Sequence, residues 1–345
     1  MNISTQNNFD LIRLFAATQV AVSHISSHLG FENIFLGALS LFPGVPIFFF
    51  ISGFLIYGSY EKSIGDDSPL YNFFSKRVLR LYPALILCLI FSIVSVWLTG
   101  YFSSIDLGIG EFLVWVTAQA SFLQFYNPDF LRGYGVGVLN GSLWTISVEL
   151  QFYALTPILF VALNRMNRFS VLFLLGVFLT INILNSVIND GNNVLFKLVG
   201  VSFLPWLYMF ILGALLYKNQ HIIDYINRIP AVIVFAIFLV GYGLTKSLGW
   251  GNSINPFGYV LLIALIIKLA FTLPHLSDKI LRRNDFSYAI YIFHMPIVNF
   301  LIFMNISGIE GFIYAITFTF ISAAVSWTFV EKPALRFKRH SLRRL

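Results

Sequence analysis

Long apolar runs separated by short polar or basic breaks dominate the 345-residue chain. They predict ten helices, near residues 9–29, 36–60, 77–99, 143–163, 169–188, 199–217, 231–248, 257–274, 285–303 and 311–331. Each approaches the roughly 20 residues that a bilayer core requires. EFLVWVTAQASFLQFY, residues 111–126, is apolar but short. It predicts an interfacial or re-entrant helix inside a long loop. The expected fold is an all-α polytopic membrane protein with one domain, its core at 9–331 and a basic tail at 332–345. No internal repeat or low-complexity tract interrupts it. The first segment reads as a retained span and not as a cleavable signal. No Lys or Arg precedes Phe9, and Arg13 and His24 break the apolar run.

Charge gives this pattern a direction. With the N-terminus in the cytoplasm, the inside segments hold Lys62, Lys76, Arg77, Arg80, Arg165, Arg168, Lys218, Arg228, Lys279, Arg282, Arg283, Lys332, Arg336, Lys338, Arg339, Arg343 and Arg344. The outside loops hold only Arg132, Lys197 and Lys246, while Arg13 and Lys268 fall inside spans. This asymmetry is the positive-inside signal and predicts that both termini are cytoplasmic. Making 111–126 a full span would invert every later loop and destroy the asymmetry. The net charge of +7 then belongs to orientation and anionic lipid headgroups, not to nucleic acid.

Composition agrees. The chain is 58% hydrophobic and 11% charged, against about 25% charged in soluble domains. So little charge cannot cover a soluble surface of this size. Cys88 is the single cysteine, which excludes an intrachain disulfide framework and reads as a core thiol. The outer stretch 100–142 contains GYGVGV, residues 133–138. No Gly-Lys-Ser/Thr follows it, so it reads as a flexible loop and not a phosphate loop.

Against this apolar background the buried polar groups stand out. FDLIRLFAATQVAVSH, residues 9–24, carries Asp10, Arg13 and His24. On a helix, Arg13 and His24 are about 20° out of phase and about 16 Å apart along the axis. They share one stripe, with Asp10 one turn before Arg13. Ionisable groups in spans usually face the protein interior or a wet cavity, although Asp10 and Arg13 also suit snorkelling anchors. Glu149 lies about 9 Å below the outer end of its helix, and His24 about 22 Å above the inner end of its own. In a core of about 30 Å these depths nearly coincide. A carboxylate beside an imidazole holds its tautomer and stabilises its protonated form. Lys76, Arg77 and Arg80 gather at the inner end of the third helix. Arg77 and Arg80, one turn apart, suit a phosphate, but basic residues are ordinary at such ends. His294 sits mid-span just before Pro296, where a missing N–H frees a backbone carbonyl. A structural role serves His294 as well as a functional one. His28, His221, His275 and His340 receive no assignment, and no metal motif such as His-Glu-x-x-His is present.

Five ordered pieces resemble the acyltransferase 3 family of integral membrane acyltransferases: FDLIRLFAATQVAVSH, FPGVPIFFFISGFLIY (42–57), FFSKRVLRLYPAL (73–85), SLWTISVELQFY (142–153), and SYAIYIFHMPI (287–297) followed by VEKPALRF (330–337). The resemblance runs over residues 9–336. Arg13 and His24 match the family's first-helix Arg and His, separated by ten residues. Arg77 and Arg80 match the basic motif implicated in holding the CoA phosphates. Glu149 matches the acidic residue of a Trp-Thr-x-x-x-Glu pattern. The usual family opening, Leu-Asp-Gly-Leu-Arg, is Phe-Asp-Leu-Ile-Arg here.

The resemblance implies an acyl-CoA-dependent O-acyltransferase of the bacterial inner membrane. It would move an acyl group, expected to be acetyl, from cytoplasmic acetyl-CoA to a hydroxyl of a cell-surface or lipid-linked saccharide, such as an O-antigen or lipopolysaccharide unit. His24 would be the catalytic base, assisted by Glu149, with a covalent acyl-histidine as the variant. Arg13, Lys76, Arg77 and Arg80 would bind acyl-CoA. Asp10 and His294 are further candidates. No permanently bound cofactor is expected. Some relatives carry an added extracytoplasmic hydrolase-like domain; the chain ends fourteen residues after Glu331, and none is expected here. The alternative from another class is a proton-coupled transporter or flippase, since intramembrane Arg, His and Glu suit that task too. No half-repeat of the kind many transporters show is visible.

Overall fold

The computed structural model describes residues 6–188, 193–245, 254–282 and 284–341. Lys246, Arg283, Arg343 and Arg344 of the orientation argument lie outside the described residues, as do the side chains of Lys338 and Arg339. Among the described residues every regular element is helical. In chain order the α-helices are α1 (Phe9–Leu29), α2 (Ile34–Leu39), α3 (Gly44–Ser63), α4 (Pro69–Leu98), α5 (Ile109–Gln119), α6 (Trp144–Arg165), α7 (Arg168–Ile188), α8 (Val194–Gly200), α9 (Leu207–Lys218), α10 (His221–Asn227), α11 (Ala231–Thr245), α12 (Pro256–Phe271), α13 (Leu276–Leu281), α14 (Ser287–Phe303), α15 (Gly308–Ser326) and α16 (Lys332–Ser341). A π-helical turn, Trp327–Glu331, joins the last two.

Each of the ten predicted segments holds a helix, but ten is not the number that length and composition support. Among the described residues, five stretches are long and apolar enough to cross a membrane: Leu36–Ser63, Pro69–Leu98, Gly141–Arg165, Arg168–Ile188 and Gly308–Arg336. A sixth appears if α10 and α11, bent by 93° at their junction, form one broken span. Pro230 sits at that break and cannot continue α10. Helices α9, α12 and α14 are apolar but shorter than 18 residues. At 1.5 Å per residue they fall short of a core of about 30 Å. The predicted short helix at 111–126 is present as α5, of 11 residues.

The chain divides into two compact units. One comprises Met1–Ala16, Leu41–Phe73 and Val148–Asn284. Its centre is the packing of α3 on α9. A Cβ at Gly53 would lie 2.0 Å from the Phe210 carbonyl oxygen, and one at Gly213 would lie 2.0 Å from that of Phe50. Only glycine lets these backbones approach so closely. Helix α7 in this unit is turned inside out relative to a soluble helix. Asn182 is its buried residue, while Leu172, Phe173 and Val187 are exposed. Such a surface belongs against lipid.

Asn8 ties the start of α1 to α12 and α13. Its amide nitrogen donates at 3.1 Å to the carbonyls of Leu269, Thr272 and Leu273. Its side-chain oxygen accepts from the Ser277 N–H at 2.9 Å. Lys268, predicted inside a span, is buried and donates to the Asn227 carbonyl at 2.9 Å. It thereby satisfies an end of α10 that has lost its helical partners.

The second unit comprises Ala17–Ser40, Phe74–Ser147 and Asp285–Leu345. Here the long stretch between α4 and α6 builds a small core of its own from Val96, Tyr101, Trp115, Leu131, Tyr134 and Leu139. The reading of GYGVGV as a flexible loop is corrected. Buried Asn299 of α14 accepts from the Val136 N–H at 2.7 Å and donates to the carbonyls of Val138, Leu139 and Met295 at 3.0–3.1 Å. Gly135 and Gly137 have φ of +56° and +79°. A Cβ at Gly135 would lie 2.1 Å from the Asn299 side-chain oxygen. These glycines shape an anchored turn around one amide side chain.

Candidate active site

The candidate residues fall in both units. Asp10, Arg13 and Glu149 belong to the first; His24, Lys76, Arg77, Arg80 and His294 belong to the second.

In the first unit, Arg13 and Asp10 form an i,i+3 pair at 3.9 Å, with 20% and 54% of their side chains exposed. A pair that open is worth little to stability. Glu149 of α6 is half-buried, and its carboxylate accepts from the Tyr153 hydroxyl at 2.5 Å, one turn on. Tyr153 escaped the sequence reading, although its i,i+4 spacing was the available signal.

In the second unit, His24 meets His294. The Nδ1 of His24 lies 2.9 Å from the Nε2 of His294. His24 is half-buried and His294 fully buried. The other His294 nitrogen, Nδ1, lies 3.4 Å from the Ile290 carbonyl. His28 is one turn beyond His24, with ring centroids 6.1 Å apart.

Pro296 does free a carbonyl, as its position predicts. The carbonyl four residues earlier is that of Ile292, and it accepts from the Asn140 amide at 2.8 Å and the Cys88 thiol at 3.2 Å. Ser142 bridges Asn140 and the Tyr291 carbonyl, at 2.7 and 3.3 Å. The Thr145 hydroxyl donates to the Tyr291 hydroxyl at 2.9 Å. Residues 140–145 therefore grip α14 one turn before His294. Cys88 packs in the core, as its surroundings imply, and also caps this break.

Lys76, Arg77 and Arg80 lie in the first half of α4, each half-buried. Arg80 is held by two carboxylates absent from the sequence reading. It pairs with Asp285, and its Nη1 lies 3.8 Å from a Glu331 oxygen. Asp285 also accepts from the Ser287 N–H and hydroxyl at the start of α14, at 3.1 and 2.5 Å. Glu331, 1% exposed, accepts from the Ser326 hydroxyl at 2.9 Å across the π-helical turn. These partners stand more than 200 residues from Arg80, which is why spacing could not find them.

A cavity of about 510 Å3 opens at the far end of α1. Ser23, Ser26, Ser27, Glu32, Asn33 and Ser40 supply its polar lining.

A family model described as an acyltransferase domain matches residues 6–331. The chain belongs to this acyltransferase 3 family. It is 31% identical to Nodulation protein 10 of Rhizobium leguminosarum bv. viciae, over 96% of this chain and 94% of that one. It is 29% identical to an O-acetyl transferase of Shigella phage Sf6, over 95% and 96%. It is also 24% identical to the O-acetyltransferase OatA of Staphylococcus aureus, over 94% of this chain and 56% of OatA. No solved structure matches it.

Proposed function

We propose that this protein is a membrane O-acetyltransferase that moves the acetyl group of cytoplasmic acetyl-CoA to a hydroxyl of a cell-surface or lipid-linked saccharide. Membership in an acyltransferase family and relatives named O-acetyltransferases favour transfer over proton-coupled transport. The observation that supports the mechanism is the pairing of His24 through Nδ1, which leaves Nε2 as the nitrogen for base chemistry. The acceptor O–H gives its proton to that nitrogen while the oxygen attacks the thioester carbonyl carbon. The tetrahedral adduct collapses with cleavage of the C–S bond. The proton passes from His24 to the departing CoA sulfur, giving an O-acetyl ester and free CoA.

Arg13, Lys76 and Arg77 supply cationic donors for the CoA phosphates; Arg80 joins them as a residue already braced by carboxylates. Glu149 supplies negative charge for the His24 imidazolium, on the depth argument from the sequence. The hydroxyl-lined cavity at the end of α1 suits a polyhydroxylated acceptor. In this reading α1, the bent α10–α11 pair and the shorter α9, α12 and α14 join the five long spans as ten crossings, and both termini face the cytoplasm.

Acetyl-CoA binding and acetyl transfer by purified protein in lipid nanodiscs test the reading together. His24→Ala should lower transfer by at least about 100-fold, the lower end of a general base's contribution, and leave acetyl-CoA binding within a few-fold of wild type. Loss of binding along with transfer would make His24 structural. Failure of the folded wild-type protein to bind acetyl-CoA would overturn the assignment.

A further inference from the structure

We infer that His294 is a positioning residue that fixes the tautomer of His24. The inference rests on the general-base reading of His24 and goes beyond it by naming what makes that base a base. A neutral imidazole has one N–H and one lone pair, and hydrogen bonding at one nitrogen dictates the state of the other. A carbonyl only accepts, so the Ile290 oxygen 3.4 Å from His294 Nδ1 places the proton of His294 on that nitrogen. His294 Nε2 is then a lone pair. At 2.9 Å from it, His24 Nδ1 must donate. The single N–H of neutral His24 is thereby used, and its Nε2 is left basic.

The reverse direction fails on two counts. It would set the lone pair of His294 Nδ1 against the lone pairs of the Ile290 carbonyl. It would also make His24 Nε2 an N–H donor, unable to take a proton from a hydroxyl. Protonating His294 to satisfy both sides would bury a cation at a residue with no exposed surface. Two other titratable groups face the pair: His28 lies at a ring separation of 6.1 Å from His24, and Tyr291 at 6.1 Å from His294. Neither is interposed in the relay.

The fold places this histidine with care. Pro296 interrupts the α14 ladder, and Asn140, Ser142 and Cys88 hold the backbone at residues 291–292. The ring of His294 therefore has a fixed depth from which to meet α1. When His24 becomes an imidazolium during transfer, its Nδ1–H still points at a lone pair, so the relay needs no rearrangement at the moment of reaction.

The test is the 15N spectrum of histidine-labelled protein in nanodiscs near neutral pH, with His24 assigned by its loss in His24→Ala. Wild type should show His24 protonated at Nδ1 and bare at Nε2. His294→Gln keeps an acceptor oxygen where Nε2 stood, and should preserve both that signature and acetyl transfer within about tenfold. His294→Leu removes the acceptor. It should shift His24 toward the other tautomer and lower turnover on the order of 100-fold, with the KM for acetyl-CoA unchanged. A wild-type His24 bare at Nδ1 would overturn the inference, as would equal losses in the Gln and Leu variants. Because the tautomer is read without turnover, a protein that transferred no acetyl group would defeat the proposed function while the spectrum still judged the relay.

Discussion

At the scale of the residue, Arg80 shows how a proposed binding motif and a structural brace become entangled. Read along the chain, Arg77 and Arg80 are equivalent cations one turn apart. In the fold Arg80 neutralises Asp285 and the buried Glu331. Removing one partner of such a set leaves buried charge uncompensated, at a cost of about 3–5 kcal/mol. Arg80→Ala is therefore expected to lower the thermal midpoint of the purified protein sharply, and Glu331→Gln in the same chain should restore part of it. Arg77→Ala should weaken acetyl-CoA binding. Thermal unfolding beside calorimetric titration separates the two. An Arg80→Ala protein as stable as wild type would show that the carboxylates do not depend on it. The same logic marks what could be read from the sequence. Arg13, His24 and Glu149 stand out because hydrocarbon tolerates them poorly. Asn8, Asn299, Asp285 and Glu331 were invisible as partners, because each acts on a segment distant in the sequence or on a backbone carbonyl that carries no sequence signal.

At the scale of the element, apolar runs located the cores of the long helices but neither their true lengths nor their breaks, and they missed the short α10, α13 and α16. α4 starts at Pro69, eight residues before the predicted start, because Asn72, Lys76 and Arg77 continue the helix without being apolar. The crossing of α3 and α9 was equally hidden. Gly53 and Gly213 look like unremarkable glycines in apolar runs, yet each faces a backbone carbonyl across the interface. Gly53→Ala should push these helices apart and cost about 1–3 kcal/mol or more of stability, as overpacking does. Gly176 of α7 meets nothing within 4 Å, so Gly176→Ala is the matched control and should cost nothing. Thermal unfolding in one detergent compares the pair. Equal midpoints for both variants would mean that the α3–α9 contact can relax at no expense.

At the scale of the whole molecule, the functional reading depends on which face of the membrane each end of the helices meets, and charge asymmetry alone sets that face. The single cysteine makes the question tractable. Cys88 is buried, 1% exposed, so the natural chain is close to a cysteine-free background for a membrane-impermeant maleimide. Asn33 and Asp129 are exposed on the segments assigned to the outside. Lys62 and Asp224 are exposed on those assigned to the cytoplasm. Asn33→Cys and Asp129→Cys should be labelled in intact spheroplasts, and Lys62→Cys and Asp224→Cys only after the membrane is permeabilised. The wild-type chain should stay unlabelled in both. Arg77 follows Lys62 with one polar turn between α3 and α4, so the face that Lys62 meets is the face from which Arg77 is reached. Labelling of Lys62→Cys in sealed spheroplasts would put the cations proposed to bind phosphate on the side that lacks acetyl-CoA. The cytoplasmic donor route would then fail, however well the His24–His294 geometry survived.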